Sequence, residues 1–112
     1  MYKVIEINEE VGNEILQTVN SGILINVAKW SGPSLQVRRI IVDLMPVLAY
    51  QKLVIIDHDK SEKFQEQFIE NGQSQCHGWC DIFIVENGTI IKSVHKLAPN
   101  KSTIKAWLSS RI

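Results

Sequence analysis

The sequence predicts an α/β fold with a mixed central sheet and helices on both faces of that sheet. Two almost continuous apolar runs, Ile23–Ala28 and Leu53–Ile56, are typical of strands that are covered on both faces. Stretches with helical spacing of apolar residues follow both runs. An Asn87-Gly88 pair between two further apolar stretches is a strong short signal for a β-hairpin.

The first half of the chain reads as two strand–helix units. Lys3–Ile7 is a predicted strand, and Asn8 is a suitable N-cap for the following helix because two acidic residues come after it. After the first apolar run, the second helix opens after Gly32-Pro33, since proline is tolerated in a first turn. Pro46 is expected to kink or shorten the last turn of that helix.

The second half adds a helix, the hairpin and a last helix. Ser61 begins a short helix that is expected to end at Asn71-Gly72, and Asn100 can cap the last helix. Trp107 on the last helix is expected in the core. The predicted order is βαβαβαββα, in which strands joined by crossover helices pair in parallel and the terminal hairpin is antiparallel.

Composition limits the class of protein and its partners. A length of 112 residues suits a single domain spanning the whole chain, 1–112. Twelve basic and twelve acidic residues cancel and are interspersed, which argues against nucleic acid or a membrane surface as a partner. No apolar run approaches the roughly 20 residues of a bilayer span, and the start of the chain lacks signal-peptide features. With only two cysteines, a cytoplasmic protein is expected.

The segment Trp30-Ser31-Gly32-Pro33-Ser34 resembles the thioredoxin active-site motif, Trp-Cys-Gly-Pro-Cys. It stands, as in thioredoxins, at the end of a buried strand and the start of a helix. The order of strands and helices also resembles that of thioredoxins over essentially the whole chain. The resemblance implies a thioredoxin-like fold in which Ser31 and Ser34 occupy the positions of the two redox cysteines.

Serine cannot perform the chemistry of this family. That chemistry needs a thiolate at a helix N-terminus and a second thiol that resolves the mixed disulfide. A serine alkoxide is out of reach near neutral pH without a general base, and serine forms no disulfide. The resemblance also implies that the family's buried aspartate falls at Ile25, its partner lysine near Ile55 and its cis-proline at Cys80. The proton relay and the usual substrate clamp are therefore missing as well.

These losses favour a redox-inactive protein-interaction or chaperone-like module. Such a module binds another protein and needs no cofactor. Trp30 is expected to be partly exposed by its motif position, whereas Trp79 suits binding and core packing equally well. No residue is assigned as catalytic. The predicted binding surface consists of Trp30, Ser31, Gly32, Pro33, Ser34, Trp79 and Cys80.

Two alternatives stay open at this point. The chain could be a thiol–disulfide oxidoreductase of cell redox homeostasis in which serines were engineered at 31 and 34. Against this, engineering would have left the aspartate, lysine and proline positions of the family unchanged. The chain could also be a structural subunit that uses the fold only as a scaffold.

The segment Cys76-His77-Gly78-Trp79-Cys80 is the other chemically suggestive cluster. It could be a relocated redox pair, a single reactive Cys80, or a metal site completed by His77 or His58. The three-residue gap between the cysteines matches no common zinc or thioredoxin spacing. We therefore expect an inert loop thiol, a buried packing cysteine and no metal.

Two further groups of titratable residues receive structural interpretations. Asp57-His58-Asp59 has the composition of a metal or acid–base trio, but it stands where a strand ends, so solvated loop charges are expected. His95 follows a strand and has no partner nearby in the sequence. The sequence assigns it no role.

Overall fold

The computed structural model describes residues 1–70 and 80–110. The strands are β1 (Lys3–Ile7), β2 (Gly22–Val27), β3 (Lys52–Asp57), β4 (Asp81–Glu86) and β5 (Thr89–Val94). The helices are α1 (Ile15–Val19), α2 (Gly32–Leu44), α3 (Glu62–Glu70) and α4 (Lys101–Ser109). Short 3₁₀ turns occupy Met45–Val47 and His58–Lys60. The predicted order βαβαβαββα is confirmed.

The strands form one mixed sheet in the order β1-β3-β2-β4-β5. β3 pairs in parallel with β1 and β2, while β4 pairs antiparallel with β2 and β5. One core cluster joins the sheet to α2 and α4 and includes Ile25 and Ile41. A second cluster joins the opposite face to α1 and α3 and includes Leu24, Phe64 and Phe83. The sheet is thus covered on both faces, as its apolar strands predict.

The hairpin turn confirms the Asn-Gly signal. Asn87 and Gly88 have φ angles of 53° and 76°. Two consecutive positive φ angles are what a tight turn between twisted antiparallel strands requires. The Gly88 amide also donates to the carbonyl of Asn20, at 2.8 Å, and so ties the hairpin to the end of α1.

The predicted start of α1 is wrong. Residues 8–14 are not helical, and α1 begins only at Ile15. The amide of Val11 donates to the carbonyl of Lys60 at 2.9 Å, so it makes a long-range bond in place of a helical one. Gly12 also disfavours a helix at this point. The segment after Asn8 therefore packs as a loop beside the end of β3.

The end of α2 and the start of α4 follow the predicted signals. α2 stops at Leu44, and the turn that contains Pro46 continues as a 3₁₀ turn, in agreement with the expected effect of that proline. The side chain of Asn100 caps α4 by accepting a hydrogen bond from the Thr103 amide at 3.0 Å. The expected end of α3 at Asn71-Gly72 lies outside the described residues.

Trp107 packs against the core, as expected, but lies at its margin. Its ring packs against the cluster under α2 and α4 but is half-buried. Lys92 Nζ lies over the ring, 4.2 Å from its centroid, and makes a cation–π contact with it. Within the described part of the chain, no helix has the length and apolarity to cross a membrane.

Candidate functional site

The motif segment lies between the end of β2 and the first turn of α2. Trp30 is 61% exposed, and Gly32 and Pro33 are also exposed. Ser31 and Ser34 are buried. The segment therefore presents an indole ring and a rigid Gly-Pro turn to solvent, while both serine side chains face inward.

The two serines make local structural contacts. Ser31 is in an extended conformation directly before α2, and its carbonyl accepts the amide of Leu35 at 3.1 Å. Ser34 lies in the first turn, and its Oγ accepts the backbone N–H of Ala28 at 2.9 Å. Neither position carries a sulfur atom, so a disulfide cannot form at the motif.

The positions that the resemblance assigns to the proton relay lie side by side. Ile25 of β2 is the register partner of Ile55 of β3. Both side chains are buried in the cluster under α2 and α4, at 0% and 2% exposure. No group that could transfer a proton exists at either position, because both side chains are aliphatic.

Trp30 is exposed but makes two specific contacts with the 3₁₀ turn His58–Lys60. Its Nε1 donates to Asp59 Oδ1 at 3.3 Å. Its ring meets the His58 imidazole edge-on, with centroids 6.1 Å apart and an interplanar angle of 70°. A hollow of about 260 Å³ adjoins this turn and is lined by His58, Asp59, Glu62 and Gln65.

Asp57 is buried, which corrects the expectation of solvated loop charges for this residue. It is only 8% exposed, and its Oδ1 accepts the amide of Asp59 at 2.9 Å. Its Oδ2 lies 3.7 Å from Lys29 Nζ. Asp57 therefore caps the 3₁₀ turn and ties it to the residue before Trp30. Asp59 is exposed, as expected.

A series of hydrogen-bonded polar side chains lies on the α1 and α3 face of the sheet. Asn26 Nδ2 donates to Asp81 Oδ2, and His95 Nδ1 lies 2.9 Å from Asp81 Oδ1. Ser61 Oγ donates to Asn26 Oδ1, and Gln65 Nε2 donates to Ser61 Oγ, both at 2.9 Å. Asn26, Asp81, Ser61 and Gln65 are buried, at 0 to 7% exposure. We call His95, Asp81, Asn26, Ser61 and Gln65 the buried polar chain.

The backbone of the chain superposes on those of solved thioredoxins, whereas no protein-family model and no curated protein sequence matches it. It is 17% identical to the reduced thioredoxin pre-protein of Schistosoma mansoni, with a TM-score of 0.64 over 95% of each chain. The oxidised thioredoxin of Plasmodium falciparum gives 18% identity and a TM-score of 0.64, also over 95% of each chain. Trichomonas vaginalis thioredoxin gives 16% identity and a TM-score of 0.62, over 94% of each chain. The fold is thioredoxin-like. This confirms the fold class that the motif and the element order imply.

In this thioredoxin-like fold, Cys80 lies in the core directly before β4. It is 1% exposed and belongs to the cluster under α2 and α4. Its Sγ contacts the carbonyl oxygen of Asp81 at 3.6 Å. The other predicted members of this region, Cys76, His77 and Trp79, lie outside the described residues.

The buried polar chain is not part of the pattern that the resemblance implied, and the sequence signals for it are weak. Asn26 interrupts an otherwise apolar strand, and Asp81 begins another buried strand. Buried polar groups are almost always hydrogen-bonded, so both residues are expected to have hydrogen-bond partners. Asn26 and Asp81 are 55 positions apart, so neither could be paired from local sequence. His95, which the sequence assigned no role, is the partner of Asp81.

In residues 1–70 and 80–110, no three His, Cys, Asp or Glu side chains are grouped so that they could hold a metal ion. His58 lies against Trp30, while His95 is bonded to Asp81. The described site presents the exposed indole ring of Trp30, which contacts His58 and Asp59 of the 3₁₀ turn.

Proposed function

We propose that this thioredoxin-like domain is a non-catalytic module that binds another protein through the face formed by Trp30, Gly32 and Pro33. The observation that carries the proposal is an indole ring 61% exposed beside a motif whose two cysteine positions are serines. The fold keeps the exposed part of the motif and lacks its thiols. Binding without redox chemistry is the use that remains.

The lost chemistry supports the first half of the proposal. Thiol–disulfide exchange requires a thiolate, and Ser31 and Ser34 supply none. Ile25 and Ile55, at the positions that the resemblance assigns to the proton relay, have aliphatic side chains and transfer no proton. Three separate requirements of the reaction, a nucleophile, a resolving group and a proton relay, are therefore unmet at this site.

The exposed groups support the second half. Tryptophan is among the residues that contribute most to protein interfaces, because it buries a large, rigid surface. Gly32-Pro33 gives the face a fixed shape, because the proline ring fixes the backbone φ angle in the first turn of α2. Leu35, 39% exposed on α2, adds apolar area close in sequence. Trp79 remains a predicted member of this face.

A matched pair of variants tests the proposal. Trp30→Ala removes the exposed indole, and Val47→Ala removes a side chain that is 67% exposed beyond the other end of α2. The two sites are separated by a helix about 20 Å long, at roughly 1.5 Å per residue. Each tagged protein is used in quantitative affinity capture from its native cell extract, after its unfolding curve has been compared with that of the wild type.

The expected result is a partner protein that wild type and Val47→Ala retain equally. Trp30→Ala should reduce its recovery about tenfold, which corresponds to about 1.4 kcal/mol of binding free energy. Equal recovery with Trp30→Ala and Val47→Ala would contradict the proposal.

The rival function, thiol–disulfide exchange by Cys76 and Cys80, is opposed by the burial of Cys80, because a thiol in apolar surroundings is inert.

A further inference from the structure

Trp30 has a defined orientation although most of its side chain is in solvent. Its Nε1 bonds to Asp59 Oδ1, and its ring meets the ring of His58. Both contacts belong to the same 3₁₀ turn, His58–Lys60. The orientation of the exposed indole therefore depends on how firmly this turn is held.

The turn is held by side chains from two directions. Asp57 caps it by accepting the amide of Asp59 at 2.9 Å. Gln65, on α3, donates from Nε2 to the carbonyl oxygen of His58 at 2.8 Å. Because a turn of three residues has few internal hydrogen bonds, these two contacts restrict its backbone, together with the bond from the Val11 amide to the Lys60 carbonyl.

Gln65 is in turn fixed by the rest of the buried polar chain. Its Nε2 also donates to Ser61 Oγ, which donates to Asn26 in the middle of the sheet. Asn26 is bonded to Asp81, and Asp81 to His95 at the end of β5. Buried polar side chains that satisfy one another are held rigidly, since each would lose its partner by moving. The series thus runs without a break from β5 to the carbonyl of His58.

We propose that Gln65 is a positioning residue for the protein-binding face, and that through it the buried polar chain fixes the orientation of Trp30 before a partner arrives. This inference rests on the proposed function, because the orientation of Trp30 affects binding only if Trp30 contacts a partner. Preorganisation lowers the entropic cost of binding, so a fixed indole binds more tightly than a mobile one of the same area. The hydrogen bonds that Gln65 donates go to His58 and Ser61, and not to the indole of Trp30. Gln65 therefore acts on the indole through the turn.

The test follows the indole itself. In ¹⁵N-labelled protein the Trp30 Nε1–H resonance is assigned by its loss in Trp30→Phe, and its steady-state heteronuclear NOE reports motion on the picosecond to nanosecond timescale. Gln65→Met keeps the length of the side chain but removes both donated hydrogen bonds. Tyr50→Phe is the matched control, since it removes one part-buried bond to a backbone carbonyl, that of Leu108, on the other face of the sheet.

The expected result is a lower NOE and a shifted Trp30 indole resonance in Gln65→Met, with both unchanged in Tyr50→Phe. Partner binding should weaken at least threefold in Gln65→Met. An indole NOE that is the same in Gln65→Met and wild type overturns the proposal. If Gln65→Met does not fold, Ser61→Ala is read in the same way, because it removes the bond that Gln65 donates to Ser61 Oγ and the contact of Ser61 Oγ with the His58 carbonyl at 3.4 Å. The NOE needs no partner, so equal partner recovery with Trp30→Ala and Val47→Ala would count against the proposed function alone.

Discussion

The hydroxyl oxygen of Ser34 lies 2.9 Å from the backbone nitrogen of Ala28 and accepts its hydrogen bond. Ser34 stands in the first turn of α2, Ala28 directly after β2, and both are fully buried. The bond therefore joins the strand and the helix between which the exposed Trp30 projects. At the position of a redox cysteine, the serine has a structural use.

Ser34→Ala should lower the free energy of unfolding by about 1–3 kcal/mol, because the buried amide of Ala28 loses its acceptor. Ser109→Ala, at an exposed position of α4, serves as the control and should change the value by less than about 0.5 kcal/mol. Urea unfolding monitored by circular dichroism measures both. Equal stabilities of the two variants would show that the Ser34 bond contributes nothing.

Asp81→Ala should be more costly, because it removes the hydrogen-bond partner of buried Asn26 and of half-buried His95. We expect a loss of about 3 kcal/mol. The comparison is Glu6→Ala, which breaks a 3.0 Å ion pair with Arg38 at the surface and should cost less than about 1 kcal/mol. The same urea experiment separates the two. A loss for Asp81→Ala no larger than that for Glu6→Ala would mean that the buried polar chain adds no stability.

Tyr50 should make the protein less stable at alkaline pH. Burial raises the pKa of its phenol, whose OH donates to the carbonyl of Leu108 at 3.0 Å. Above the ordinary phenol pKa of about 10, the unfolded chain releases this proton while the folded chain retains it. The stabilising contribution is therefore complete below that pH and declines above it. The excess stability of wild type over Tyr50→Phe should shrink as the pH rises above about 10, and a constant difference in urea unfolding would refute this.

Local signals predicted most of the fold. The Asn87-Gly88 turn, the proline-limited end of α2 and the Asn100 cap each depend on residues close in sequence, and each was found as predicted. The start of α1 was not, because Val11 bonds to Lys60 across the fold. A cap signal at Asn8 carries no information about such a competing partner.

The site was predicted less completely than the fold. The motif gave the location of Trp30 and the absence of thiols. The support beneath Trp30, from Asp57 and Gln65, arises only when β3 and α3 are brought together. Asn26 and its partner Asp81 likewise meet only when β4 pairs with β2. Long-range pairing of this kind is not encoded in any short pattern.

The most direct test of the proposal that this protein performs no redox chemistry is a glutathione redox titration of the wild-type protein. Samples are equilibrated across redox buffers, quenched, alkylated under denaturing conditions and measured by intact mass, which counts the thiols of Cys76 and Cys80, the two cysteines of the chain. We expect two alkylated thiols at every potential near that of the cytosolic pool. An intramolecular disulfide with a potential in that range would contradict the account and identify the protein as a thiol–disulfide oxidoreductase or redox sensor.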